Sequence, residues 1–184
     1  WRRKTLRELV KNPNTKELPS NIVLAALKDA WPNYYRHDQK VECVLNCISF
    51  PEPESQDQKL HTGLHPSLFQ KYVSMNVKFG NLLEFAHSVL EKHRAEGKTM
   101  CTFYCVDSLG RYGSCAMAKA LAEIVLADKS LTLGRVSTTA NLRSIECGPC
   151  ECCGFWTQKF SVKNEAVSAV LTQWRQVRTR QSLT

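Results

Sequence analysis

The sequence predicts a single α/β domain, with a small parallel or mixed sheet flanked by helices and a basic extension at each end. The chain has 184 residues, of which 43% are apolar, and this is enough to bury one good core. Short apolar runs rich in strand-forming residues alternate with longer segments of helical period. The short connections between them favour right-handed crossovers. We therefore expect a basic extension at 1–40, the α/β domain at 41–178 and a basic tail at 179–184.

The N-terminal half contains a predicted helix, a predicted strand and two further helices. Ser20 is expected to cap a helix that runs through Ala30, and the first core strand is expected within 41–50. Pro51 and Pro53 end that strand, and 54–61 is a polar loop. Helices are predicted at 67–73 and 79–94.

The segment 98–125 is expected to be the centre of the domain. Met100–Val106 is an apolar run typical of a buried strand, and a turn containing two glycines follows at 107–113. A helix then begins near Ser114, with apolar residues on one face: Cys115, Ala118, Leu121, Ala122 and Val125. Beyond it we expect a third strand at 131–136, an irregular segment at 141–154 and a closing helix at 164–177.

The turn before this helix is a candidate anion site, because backbone N–H groups and the helix dipole favour a negative charge there. The predicted binding residues are Gly110, Arg111 and Ser114. An ordinary turn without a ligand is the alternative interpretation.

Cys105 and Arg111 are separated by five residues, and the segment 104–114 resembles the phosphate-binding loop of cysteine-dependent (CX5R) phosphatases. That resemblance implies a thiolate nucleophile at Cys105 and an arginine fork on phosphate at Arg111. The alternative is that Cys105 is a strand residue packed in the core.

The chain has nine cysteines, an odd number that a complete set of intrachain disulfides cannot accommodate. A reducing, intracellular compartment therefore fits better. Four cysteines cluster at a spacing typical of zinc ligands, namely Cys147, Cys150, Cys152 and Cys153. A structural zinc ion, reduced thiols and a disulfide all remain open for this cluster.

The net charge is +8, which favours an acidic partner such as nucleic acid. Basic residues cluster at both ends of the chain, and we expect these to contact RNA: Arg2, Arg3, Lys4, Arg7, Arg175, Arg178 and Arg180. A solvated basic surface is the alternative. No apolar run approaches the roughly 20 residues that span a membrane.

Four features follow one another along residues 41–175: Ile48–Pro53 with its Pro-x-Pro ending, His61–Pro66, the loop containing Gly110, Arg111 and Ser114, and a cysteine-rich segment followed by Trp174. In this order they resemble the C-terminal domain of RapZ, the bacterial RNase adapter family, in the divergent form found in some protists. The resemblance implies an α/β adapter domain that binds RNA and, in bacteria, a phosphosugar, and that is not itself an enzyme.

These observations together predict a non-catalytic, RNA-associated adapter or structural subunit of a ribonucleoprotein, with other proteins as further partners. An organellar ribosome is a specific hypothesis within that class. The chain begins at Trp1 and not at methionine, and one interpretation is that a mitochondrial targeting segment has been cleaved. The cytoplasm is the other expected location. A cysteine-dependent phosphatase and a phosphosugar or anion sensor are the alternative functions.

Overall fold

A computed structural model of the protein describes residues 20–26, 43–75, 77–98, 100–107, 111–128, 136–140 and 165–181. These residues form four strands and five helices. In chain order they are β1 (Ser20–Ala26), β2 (Cys43–Asn46), α1 (Gln56–Leu60), α2 (Pro66–Met75), α3 (Val77–Ala95), β3 (Met100–Val106), α4 (Gly113–Ala127), β4 (Val136–Ala140) and α5 (Glu165–Gln181).

The four strands form one mixed sheet in the order β2-β3-β1-β4. β2 is parallel to β3, whereas β1 is antiparallel to both of its neighbours, β3 and β4. Val23 in the middle of β1 is opposite Phe103 on one side and Thr138 on the other. The predicted α/β class with a small parallel or mixed sheet is therefore confirmed.

The helix predicted from Ser20 to Ala30 is wrong, because Ser20–Ala26 is a strand of the sheet. Its apolar residues, Ile22–Ala26, follow one another without interruption, and such a short run fits a buried strand as well as a helix. Pairing on both edges satisfies the backbone of β1, which favours the strand. The segment expected to be an extension thus supplies a strand that lies between two others.

Most of the other elements follow the sequence prediction with small changes in their bounds. β3 matches its predicted range, and α2 and α3 extend the predicted helices by one or two residues at each end. α5 runs from Glu165 to Gln181 and ends four residues beyond the predicted 177. The predicted polar loop at 54–61 is wrong, because this segment contains α1, whose start is capped where the Ser55 hydroxyl accepts a hydrogen bond from the Gln58 N–H at 3.1 Å. β4 begins at Val136, the last residue of the predicted third strand, and 131–135 lie outside the described residues.

Two helices pack directly against the sheet, and a third packs across the helices. α4 lies against β1, β3 and β4, α3 lies against β2 and β3, and α5 packs across α2, α3 and α4. Every residue of α4 from Gly113 to Ala122 is buried, so it is the central helix of the domain. The largest fully buried side chains include Trp174, Tyr72, Phe79 and Phe103. In the ranges that the structure describes, no helix is long and apolar enough to cross a membrane.

Candidate functional site: the turn between β3 and α4

The turn is organised by Asp107, the residue that follows β3. Its side chain is 5% exposed, and one carboxylate oxygen, Oδ2, accepts hydrogen bonds from the N–H groups of Tyr112 (3.2 Å) and Ser114 (2.8 Å). N–H groups at a helix N-terminus have no partner within the helix and need an external acceptor. Asp107 supplies that acceptor from within the chain. Its carboxylate therefore takes the place that a bound anion would take at these two donors.

Arg111 extends away from this helix end and binds the end of α1. Its Nε donates to the carbonyl oxygen of His61 at 3.1 Å, and Nη2 donates to that of Leu60 at 2.7 Å. The last carbonyl groups of a helix lack intrahelical partners, and a cation there is favoured by the helix dipole. The Arg111 guanidinium thus caps α1 and holds it against the turn.

Backbone contacts complete the docking of 59–63 onto the turn. The Gly63 N–H donates to the carbonyl oxygen of Arg111 at 2.8 Å, and the Tyr112 hydroxyl donates to the carbonyl oxygen of Lys59 at 3.0 Å. A Cβ atom at Gly63 would lie 1.8 Å from the carbonyl oxygen of Tyr112, a distance that no side chain tolerates. Position 63 therefore requires glycine because two backbones meet there.

Two histidines flank Gly63, and their rings pack against each other at a tilt. The ring centroids of His61 and His65 are 4.1 Å apart, with an angle of 31° between the ring planes. His65 Nδ1 lies 2.8 Å from the Ser67 hydroxyl, and His61 Nε2 lies 4.0 Å from the Asp57 carboxylate. Burial and the neighbouring His61 lower the pKa of His65, while Asp57 opposes that shift.

The structure places Arg111 in this turn and Ser114 in the first turn of α4. Arg111 binds backbone carbonyl groups. Ser114 is fully buried, and its N–H donates to the Asp107 carboxylate. Gly110 lies in 108–110, outside the described residues. Sequence reasoning missed the role of Asp107 as the acceptor, because Asp107 lies five residues before the N-cap residue, Tyr112, and not at the capping position itself. It also missed the requirement for glycine at position 63.

Cys105 lies inside the core, with no exposed surface. Burial raises the pKa of its thiol well above the usual value, and the neighbouring Cys47, Cys43 and Cys115 add to the shift. A nucleophilic cysteine needs an accessible thiolate. The environment of Cys105 therefore argues against the phosphatase alternative and favours the interpretation as a packed strand residue.

The other predicted site residues lie elsewhere. In α5, Arg178 Nη1 binds both carboxylate oxygens of Asp128 at 2.9 and 3.0 Å, and Arg180 pairs with Glu84 at 2.9 Å. Arg175 is exposed on the same helix. The remaining predicted RNA-binding residues lie outside the described residues: Arg2, Arg3, Lys4 and Arg7.

The cysteine cluster also lies outside the described residues, namely Cys147, Cys150, Cys152 and Cys153. Its zinc site therefore stays a prediction from the spacing. Within the described ranges, no group of three or more His, Cys, Asp or Glu side chains is arranged to hold a metal ion.

Comparisons with protein-family models, with curated proteins and with solved structures find no match to this chain.

Proposed function

We propose that the protein is a non-catalytic, RNA-associated adapter or a structural subunit of a ribonucleoprotein. The observation that carries this proposal is that the polar groups of the β3–α4 turn bind other parts of the same chain. Asp107 fills the N–H donors, and Arg111 binds the end of α1. The groups that a phosphate-binding or catalytic turn would direct at a ligand here hold two parts of the chain together.

The same carboxylate argues against a phosphosugar or anion sensor at this turn. An incoming phosphate would have to displace Asp107 from two N–H groups or share the space with a second negative charge. Like charges at hydrogen-bonding distance in a buried site repel strongly. Binding at this turn would therefore require a rearrangement of residues that are packed in the core.

The distribution of charge supports an RNA partner and indicates where the contact lies. The described residues hold 11 of the 25 Lys and Arg and 10 of the 17 Asp and Glu, so they are almost neutral. Most of the net charge of +8 therefore belongs to the rest of the chain. Residues 1–42 alone hold nine Lys and Arg against five Asp and Glu. Phosphate contacts depend on such charge more than on a shaped pocket.

The basic end of α5 is the weaker candidate for this contact, because two of its three arginines already pair with Asp128 and Glu84. The arginines and lysine of 1–7 are therefore the main proposed contacts. The resemblance to the RapZ C-terminal domain also supports the proposed role as an adapter. An organellar ribosome is the specific assembly that we propose within this class.

The test is equilibrium binding of the full chain to a fluorescent single-stranded 20-nucleotide uridine RNA at several salt concentrations. We expect the variant R2Q/R3Q/K4Q/R7Q to bind more weakly and to flatten the dependence of log K on log salt by about 3, since each phosphate contact contributes about 0.7. The variant R175Q/R178Q/R180Q loses three charges from the other end, and we expect its slope to change by clearly less than the value of about 2 that three phosphate contacts would give.

As a control, circular dichroism is used to check that each variant is folded before its binding is measured. Absence of RNA binding by the unmodified chain at 50 mM salt would contradict the proposal. An unchanged slope in the N-terminal variant would contradict the assignment of the contact to 1–7.

A further inference from the structure

The ring pair His61–His65 lies where the chain between α1 and α2 docks on the β3–α4 turn. The two residues flank Gly63, whose N–H is bound by the carbonyl oxygen of Arg111. The His61 carbonyl group accepts from the Arg111 side chain. His61 therefore takes part directly, through its carbonyl group, in the contact that holds α1 in place. His65 lies two residues after Gly63, which makes the second part of that contact.

The surroundings of the pair accommodate one positive charge more easily than two. The Asp57 carboxylate, 4.0 Å from His61 Nε2, is the acidic group that faces the rings from α1. The Arg111 guanidinium, whose Nε lies 3.1 Å from the His61 carbonyl oxygen, adds a fixed positive charge from the turn. Two neutral groups complete the surroundings. The Tyr112 hydroxyl donates to the carbonyl oxygen of Lys59, and the hydroxyl of Ser67, which belongs to α2, lies 2.8 Å from His65 Nδ1. Two imidazolium rings with centroids 4.1 Å apart would repel each other, and Asp57 offsets part of this repulsion.

We propose that the His61–His65 pair is a pH-sensitive joint: protonation of both rings loosens the 61–65 segment from Arg111 and Tyr112. In this state the bonds from Arg111 to the end of α1 weaken, and the guanidinium becomes available to solvent. The joint goes beyond the proposed RNA association and does not depend on it.

The direction of the pH effect follows from linkage. The pKa of His65 lies below the usual value of 6.5 in the folded protein. The unfolded chain therefore binds a proton at this residue more readily than the folded chain does. The contribution of His65 to the free energy of unfolding is therefore fully present above about pH 6.5, and it is lost as the pH falls through 6.5 toward the folded pKa of His65.

The first test is a pH titration of the imidazole proton resonances of the full chain by nuclear magnetic resonance. We expect His61→Gln to raise the pH at which His65 titrates, because it removes the competing positive ring. Asp57→Asn is expected to shift that midpoint in the opposite direction, because it removes the carboxylate. A His65 midpoint that is the same in all three proteins would overturn the proposal.

The second test is the hydrogen-exchange protection factor of the Gly63 amide, which is corrected for the intrinsic pH dependence of exchange. We expect it to fall several-fold between pH 7.5 and pH 5.0 in the unmodified protein and to fall less in His65→Gln. The Phe69 amide, which lies in α2 and donates to the His65 carbonyl oxygen at 2.9 Å, reports whether any loosening extends into the helix. A Gly63 protection factor that does not change with pH would show that the segment stays docked and would also overturn the proposal.

Discussion

Asp107 is a single side chain that joins the end of a strand to the start of a helix. Because its carboxylate binds the N–H groups of Tyr112 and Ser114, these buried donors do not depend on solvent. We expect Asp107→Ala to lower the free energy of unfolding by about 2 kcal/mol, since it leaves both donors without this acceptor. Asp107→Asn keeps one acceptor oxygen and is expected to cost less. Urea denaturation measures both losses.

The control for these variants is Asp57→Asn, which removes a carboxylate whose side chain is 85% exposed. Its effect on unfolding is expected to stay within about 0.5 kcal/mol. Equal losses for Asp107→Ala and Asp57→Asn would show that Asp107 does not hold the turn.

At this scale the sequence identifies the turn and two of its residues but not their partners. Arg111 does lie in the turn that the glycines predict, and Ser114 lies directly after it, at the start of α4. Their partners are carbonyl groups about 50 residues away and a carboxylate seven residues away. Contacts across such distances depend on the tertiary fold, and the local pattern carries no information about them.

The contact between α1 and the start of α4 depends on how closely two backbones approach. We expect Gly63→Ala to destabilise the protein by about 3 kcal/mol, because the added methyl group would overlap the carbonyl oxygen of Tyr112. Gly80→Ala in α3 is a matched change with no atom within 4 Å of the added Cβ, and it is expected to stabilise the protein by about 0.5–1 kcal/mol. Thermal unfolding of the two variants compares them directly. Similar melting temperatures would contradict the close approach.

The elements differ in how well the sequence predicts them, for reasons of length and pattern. α3 and α5 are 19 and 17 residues long and repeat their apolar spacing over several turns. α1 has five residues, which is too short for a period to be visible, although Ser55 provides a capping signal. β1 has a run of apolar residues that is compatible with two structures, and only its pairing with distant strands decides between them.

The whole domain is closed by α5, which connects to both α3 and α4 through one cluster of side chains. The Trp174 indole N–H donates to the Asp128 carboxylate at the end of α4 at 2.7 Å, and the indole packs edge-on against His87 of α3 with ring centroids 4.9 Å apart. Arg178 binds both oxygens of the same carboxylate. The assignment of the α5 arginines to RNA contact rests on charge, and for Arg178 the structure shows a role in packing.

Two single-charge variants separate these roles. We expect Arg178→Gln to lower the free energy of unfolding by about 1–2 kcal/mol, because Asp128 is mostly buried and loses a charged partner. Arg180→Gln breaks a pair in which the Arg180 side chain is 68% exposed and that of Glu84 is 42% exposed, and it is expected to cost less than about 1 kcal/mol. Chemical denaturation gives both values at the same net charge. An equal cost for the two variants would contradict a structural role for Arg178.

The position of β1 between β3 and β4 also has a consequence for the protein while it is being synthesised. β1 is complete roughly 70 residues before β3 begins and roughly 110 residues before β4. At about 5–20 residues per second, β1 stays without its sheet neighbours for roughly 4–15 seconds. The middle of the sheet therefore cannot form until translation has passed the residues of β3. A nascent chain halted before Met100 has both edges of β1 available for other strands, which makes this short segment the expected target of chaperones on the ribosome.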